Sequence, residues 1–185
     1  MWKKLYFLPV IMALLLAGCG VSTTNENRIP VTVKSVYDGD TMTVFYEEDG
    51  MQQEERVRFL LIDSSEMNHR EQGKQAYSEE ARDFVREMVE NGDEIELEFD
   101  EGDKEDKYDR LLAYLFVDDV NVGEELIRNG LARVAYVYPP NTKYLELYED
   151  AEAEAKQAEI GIWSIPDFVT ERGFDQEAAE NAAIN

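Results

Sequence analysis

Polar and apolar residues alternate through IPVTVKSVY (Ile29–Tyr37) and TMTVFY (Thr41–Tyr46), rich in β-branched and aromatic side chains, and predict two strands. Asp38-Gly39-Asp40 interrupts them, and Asp-Gly is a hairpin signal because both residues tolerate positive φ. The polar run Glu47–Glu55 predicts a loop, and RVRFLLI (Arg56–Ile62) a third strand, more buried at its end. Ala81, Phe84, Val85 and Met88 recur at helical spacing behind Ser78, Glu79 and Glu80, which predicts a helix over Ser78–Asn91. Glu94–Phe99 alternates strictly, with acids outward and Ile95, Leu97 and Phe99 inward; Leu111–Val117 reads as a fifth strand. A short helix over Val122–Gly130 stops at its glycine. A longer one over Thr142–Glu159 carries Tyr144, Leu147, Tyr148, Ala151, Ala155 and Ala158 on one face, with Gly161 as its stop. Beyond Pro166 the chain is acidic and alanine-rich, which predicts a loose tail over residues 166–185.

This order predicts one α+β domain over residues 30–165, without internal repeats. Five short strands with helices against them fit a small oligonucleotide-binding (OB) barrel, although strand counting does not separate that fold from other α+β domains. Ahead of the domain, Lys3 and Lys4 precede the apolar run Leu5–Gly18, an export signal too short for a membrane span. It ends in LAGC (Leu16–Cys19), which resembles the lipobox of bacterial lipoproteins. The resemblance implies cleavage before Cys19, lipidation of its sulfur, and an extracytoplasmic protein held to a membrane surface without spanning it. Residues 19–29 then form a polar tether. Cys19 is the only cysteine, so the chain has no internal disulfide.

Charge complicates the picture. The formal net charge is −23, and losing Lys3 and Lys4 with the leader takes it to −25. Phosphate binding normally relies on lysine and arginine displacing counterions, so this balance argues against a nucleic-acid partner. It equally describes a solvated surface suited to salty surroundings. Both readings stay open.

Candidate chemistry gathers at strand ends and loops, where sites are usually built: Asp38, Asp40, Arg58, Asp63, Glu66 and Arg110. Hard cations such as calcium take carboxylate and carbonyl oxygens, and Asp40 and Asp63 are candidates for two of them. Guanidinium groups match phosphate oxygens bidentately and stay protonated, which suits Arg58 and Arg110. Glu66 is a candidate acceptor for the proton of an attacking water. Together they fit metal-assisted phosphodiester hydrolysis. Each also has a plainer reading: Asp63 ends a strand, Glu66 is one of 41 acids, and Arg58 is an exposed strand residue. Strict alternation places Arg58 and Asp63 on opposite faces, so a shared site needs a bend or bulge between them.

The segments DGDT (Asp38–Thr41), VRFLLIDSSE (Val57–Glu66), DKYDRLLAY (Asp106–Tyr114), LIRNGLARVAYVY (Leu126–Tyr138) and IGIWS (Ile160–Ser164) resemble the staphylococcal nuclease (thermonuclease) family, in its order and close to its spacing. The resemblance implies a five-stranded OB-fold barrel with three helices, and a monomer. It implies calcium-dependent cleavage of DNA and RNA to 3′-phosphate products. On this resemblance Asp40, Asp63 and the Ser64 carbonyl are calcium ligands, and Thr41 supports them with Asp38 nearby. Glu66 is the proposed general base, Arg58 and Arg110 stabilise the phosphate in the transition state, and Lys107, Tyr108, Tyr136 and Tyr138 line the nucleotide pocket. Spacing of two puts Tyr136 and Tyr138 on one side if that segment is extended.

Three departures bear on this. Ser64-Ser65 stands where the family has Thr-Pro, which loosens the loop that holds Glu66. Asp109 stands where the family has glycine and puts a carboxylate beside Arg110, orienting or neutralising it. The acidity departs from the basic character of the best-known relative. These leave an alternative: a non-catalytic module of the same fold that binds oligonucleotide or protein. The lone histidine, His69, reads as an exposed loop residue, and Trp163 as a packing anchor for the last helix.

Overall fold

The computed structural model describes residues 28–184; the leader, Cys19 and most of the tether lie outside them. In chain order the elements are β1 (Arg28–Pro30), β2 (Thr32–Val36), β3 (Thr41–Glu48), β4 (Met51–Phe59), β5 (Ile62–Ser64), α1 (Ser78–Asn91), β6 (Ile95–Glu98), β7 (Leu111–Val117), β8 (Val120–Asn121), α2 (Val122–Arg128), β9 (Ala132–Val134), α3 (Leu145–Ala158), a 3-10 turn over Gly161–Ser164, β10 (Val169–Thr170), β11 (Gly173–Phe174) and α4 (Gln176–Ile184). The α+β architecture is as expected. The single first strand is not, because Val31 divides it.

That division curls the sheet. The strand order is β1-β6-β7-β4-β3-β2, with β8 beside β7. Only Val31 separates the two edge strands, so the sheet bends back on itself into a barrel-like shell, left open because β1 and β2 do not pair. A bulge between Val33 and Ser35 adds coil to β2. The central pairing, β4 with β7, is parallel, with Arg58 opposite Leu112. Val44, Val57, Leu97, Ala113 and Leu115 fill the interior, and α1, α2 and α3 cover it with Ala81 and Val85, Leu126 and Ile127, and Tyr148 and Ala151, all buried. The Tyr148 hydroxyl donates to Asn121 Oδ1 (2.7 Å), which also accepts from Glu124 N (3.1 Å), so α3 holds the residue that caps α2.

Two expectations fail for related reasons. Glu47–Glu55 is not a loop but part of a long β3–β4 ribbon, paired out to Glu48↔Met51 around Asp49-Gly50, both at positive φ (51° and 75°). Both faces of its outer part meet solvent, so burial imposes no alternation there. Residues 166–184 are not a loose tail: β10 and β11 pair as a hairpin and α4 follows. Phe168 is fully buried and packs with Phe174 (ring centroids 5.3 Å apart), Ile162 and Ala179 in a second small core. Two phenylalanines suffice to seat an otherwise acidic segment. Among the described residues no helix is long and apolar enough to cross a membrane.

Candidate active site

The carboxylates come from two chain reversals packed against each other. The first is Asp38–Asp40, where Tyr37 N donates to Thr41 O (2.9 Å) and Asp40 N to Asp38 Oδ1 (3.2 Å). Neither Asp38 nor Gly39 has positive φ, so the glycine is not there for turn geometry. A Cβ on Gly39 would lie 2.7 Å from Ala81 Cβ and 2.8 Å from Ser64 Cβ. Only a hydrogen lets the reversal press onto α1 and β5. The second reversal is Leu60-Leu61, with Leu61 buried at φ 66°. It is the bend that alternation demanded, and it brings Asp63 to the same side as Arg58.

Around these reversals the predicted residues meet. Asp40 Oδ2 accepts from Ser64 N (2.8 Å), Oδ1 accepts from Thr41 Oγ1 (2.9 Å), and Arg58 Nη2 lies 3.3 Å from Oδ2. The same Nη2 is 3.8 Å from Asp63 Oδ1, while Arg58 Nη1 donates to Phe59 O (2.8 Å). Asp38, Asp40, Asp63, Ser64 and Ser65 are all buried. Glu66 is half-buried: its backbone N donates to Gln75 Oε1 (2.8 Å), its carbonyl accepts from Gln75 N (3.0 Å), and its carboxylate has no donor among the described residues.

The arginine side is looser. The Arg110 guanidinium makes no ion pair with that cluster. Its Nε and Nη2 both donate to Asp106 Oδ2 (2.8 and 2.6 Å), so Asp106 and not Asp109 is the carboxylate that holds it. Asp109 sits at φ 58°, the left-handed conformation that glycine adopts most easily. Arg56 Nη2 donates to Tyr108 O (3.3 Å) and ties this loop to β4. Tyr108 is exposed, with Lys107 Nζ 5.0 Å and Arg110 Cζ 5.6 Å from its ring centroid. Tyr136 and Tyr138 are also exposed. Tyr136 has φ 54°, so the segment is not extended there and strand alternation does not align the two rings. Its ring lies instead 5.2 Å from Arg58 Cζ.

Three residues near the site escaped the sequence reading. Arg133 donates from Nε to Asp63 Oδ2 (2.9 Å), and its Nη2 forms an ion pair with the same oxygen at 2.9 Å, because β5 and β9 pair Asp63 with Arg133 directly. No local pattern announces a partner 70 positions away. Asp106 was legible in principle, four positions before Arg110. Gln75, buried and bonded to Glu66, had no signal. His69 differs slightly from expectation: it is half-buried, and its Nδ1 accepts from Gln72 N (3.2 Å), closing its own loop.

The electrostatics show an excess of negative charge. Burial, then the charges of Asp40 and Glu66, push the Asp38 carboxyl up to about 8. Burial and Asp40 raise Asp63 against the pull of Arg133 and Arg58, and burial with Asp40 and Asp63 raises Glu66. Burial would lower the pKa of Arg58, but Asp40 and Asp63 outweigh it and hold it above the ordinary value. Two arginines do not neutralise four acids. Among the described residues no three acidic, histidine or cysteine side chains converge as a cage for a metal. The oxygen-only donors and uncompensated charge fit a hard cation held by two carboxylates, a carbonyl and water.

A profile of the staphylococcal nuclease homologue family matches residues 56–165. The chain belongs to the staphylococcal nuclease family. It is 44% identical over 159 residues to the endonuclease YncB of Bacillus subtilis (strain 168), covering 86% of this chain and 73% of that protein. It is 46% identical over 150 residues to the SPbeta prophage-derived endonuclease YokF of the same strain, covering 81% of this chain but only 49% of YokF, so it spans about half that relative's length. To the thermonuclease of Staphylococcus intermedius it is 37% identical over 142 residues, 77% of this chain and 80% of that one. The family match contains Arg58, Asp63, Ser64, Glu66, Lys107, Tyr108, Arg110, Tyr136 and Tyr138; Asp40 lies ahead of it.

Proposed function

We propose that this chain is a calcium-dependent nuclease that hydrolyses DNA and RNA to 3′-phosphate products, exported as a monomer and held outside the cytoplasm by a lipid on Cys19. Nuclease activity is the family's signature, and the relatives above carry it in their names. The observation that carries the finer reading is the mutual packing of Asp40, Arg58, Asp63 and Ser64 beside a Glu66 carboxylate that no described residue donates to. The membrane anchor rests on the leader and the LAGC motif.

Asp40, Asp63 and the Ser64 carbonyl would hold calcium, which supplies positive charge to a phosphate oxygen. The chain's own groups do the rest. Arg58, fixed by Phe59 O, and Arg110, fixed by Asp106, present guanidinium donors to the equatorial oxygens, where charge grows in the transition state. Glu66 takes a proton from the attacking water onto its carboxylate, and its raised pKa strengthens it as a base at neutral pH. Water adds at phosphorus in line, the bond to the 5′-oxygen breaks, that oxygen takes a proton from solvent, and the proton held by Glu66 returns to solvent.

A second reading, a binding module without catalysis, draws on one observation: Arg58 and Arg110 are both already engaged by carboxylates, which weakens phosphate capture. One experiment separates the two. Plasmid and RNA digestion is compared in calcium, magnesium and chelator, with Glu66→Gln alongside. The nuclease reading expects cutting in calcium alone, lowered by about two to four decades in Glu66→Gln, the span of general-base catalysis. Equal cutting by both proteins, or none by either, sinks it.

A further inference from the structure

The C-terminal segment lies beyond residue 165, where the family match ends, yet it touches the backs of two active-site groups. Behind Glu66, the buried Gln75 side chain is shared three ways: Oε1 accepts from Glu66 N (2.8 Å), while Nε2 donates to Gln72 Oε1 (2.6 Å) and to Phe174 O (3.4 Å). The next residue, Ala76, donates its N–H to Gln176 Oε1 (2.8 Å) at the start of α4. Behind Asp63, Arg133 uses its remaining Nη1 to donate to Thr170 O (3.2 Å), and its guanidinium carbon lies 5.8 Å from the Phe174 ring centroid. Ala76 and Tyr77 pack into the same small core as Phe168 and Phe174.

We propose that residues 166–184 form a clamp that positions the active site, fixing Glu66 through Gln75 and Gln176, and Asp63 through Arg133 and Thr170. The proposal rests on the nuclease reading. The need for such a clamp is local. Ser65, fully buried, stands where proline would stiffen the loop, and its hydroxyl and that of Ser64 have no hydrogen-bond partner among the described residues. Within the loop His69 and Gly73 bond each other's backbone and Glu66 bonds Gln75; what comes from outside is the hold on Gln75 and Ala76 by Phe174 O and Gln176. Gln75, Gln176 and Thr170 are positioning residues, since none touches the reacting atoms. Displacing a catalytic group by about 1 Å costs up to about a hundredfold in rate while substrate affinity is largely kept.

The test uses the chain from Gly20 onward in four forms: intact, ending at Ile165, Gln75→Met and Gln176→Ala. Methionine keeps the volume of Gln75 but makes neither hydrogen bond. DNA cleavage gives kcat and KM, and amide hydrogen exchange of the peptide covering residues 63–76 reports loop order whatever the protein cuts. The expected result is a kcat lower by about tenfold to a hundredfold in the truncated and Gln75→Met forms, about threefold in Gln176→Ala, with KM within about threefold. Exchange in 63–76 rises in the same order, and Gln176→Glu, which retains an acceptor for Ala76 N, restores both. If the truncated chain does not fold, the two point variants carry the test. An active intact chain whose point variants keep kcat, or lose it without faster exchange, overturns the clamp alone. An inactive intact chain overturns the nuclease reading and the clamp with it.

Discussion

The chain uses Asp-Gly twice, at Asp38-Gly39 and Asp49-Gly50, and the two copies do different work. Asp49 and Gly50 both have positive φ and form the tight turn of an exposed ribbon, with nothing within 4 Å of a Cβ built on Gly50. At Asp38-Gly39 neither φ is positive, and the glycine is wedged against Ala81 and Ser64. One copy is a local conformational device. The other is a tertiary contact that delivers Asp40 to Ser64 and Arg58. The same two letters thus carry backbone geometry in one place and close approach in the other.

Substitution at the two turns tests the contrast, starting with the largest effect. Asp40→Asn removes a charge that Arg58 and the proposed cation both use, and it is expected to lower cleavage by about a hundredfold or more, whereas Asp49→Asn leaves it within about twofold. A digestion time course on both decides it; equal effects would erase the distinction. Next, Gly39→Ala forces a Cβ into α1 and β5, at about 1–3 kcal/mol, and lowers activity with stability. Gly50→Ala pays only for left-handed backbone, about 1–2 kcal/mol, with cleavage intact. Urea melts paired with digestion separate the two patterns.

The pH dependence follows from the acids behind the first turn. A carboxyl raised to about 8 binds its proton more tightly folded than unfolded. Its contribution is fully present below the unfolded value near 4 and is lost as pH rises through about 8. Asp63 and Glu66 are shifted in the same direction. Melting in chelator is expected to show stability falling from pH 4 to 8, with the fall shallower in Asp38→Asn and offset by added calcium. A metal-free protein that grows more stable across that range would contradict the charge excess. The smallest effect belongs to the ribbon. Exposed Glu47 and Glu48 changed to glutamine are expected to raise kcat/KM by about twofold at low salt, the gap closing as salt screens it.

Legibility tracked the origin of each signal. The helix over Ser78–Asn91 was readable because one face is buried in the core, and the strand Leu111–Val117 because it is a continuous apolar run buried on both faces. The outer β3–β4 ribbon was not, because neither face is buried. The folded segment after Pro166 was hidden by composition: Phe168 and Phe174 do the packing among many acids and alanines. At the site, Asp40, Arg58, Asp63 and Glu66 were named from their chemistry at strand ends, Ser64 from the family resemblance, and the structure brings them together. Arg110 was named too, but its carboxylate partner was misassigned to Asp109, because adjacency in sequence was read as proximity of side chains.

By itself the sequence determined the α+β class, the family, and Asp40, Arg58, Asp63 and Glu66 as residues that meet, since periodicity and motif spacing are written locally. Only the tertiary structure decided that Arg133 grips Asp63, that Gln75 holds Glu66, and that the C-terminal hairpin stands behind both. Those contacts join positions from 9 to 99 residues apart. Close packing and strand register create them, and no local pattern encodes either.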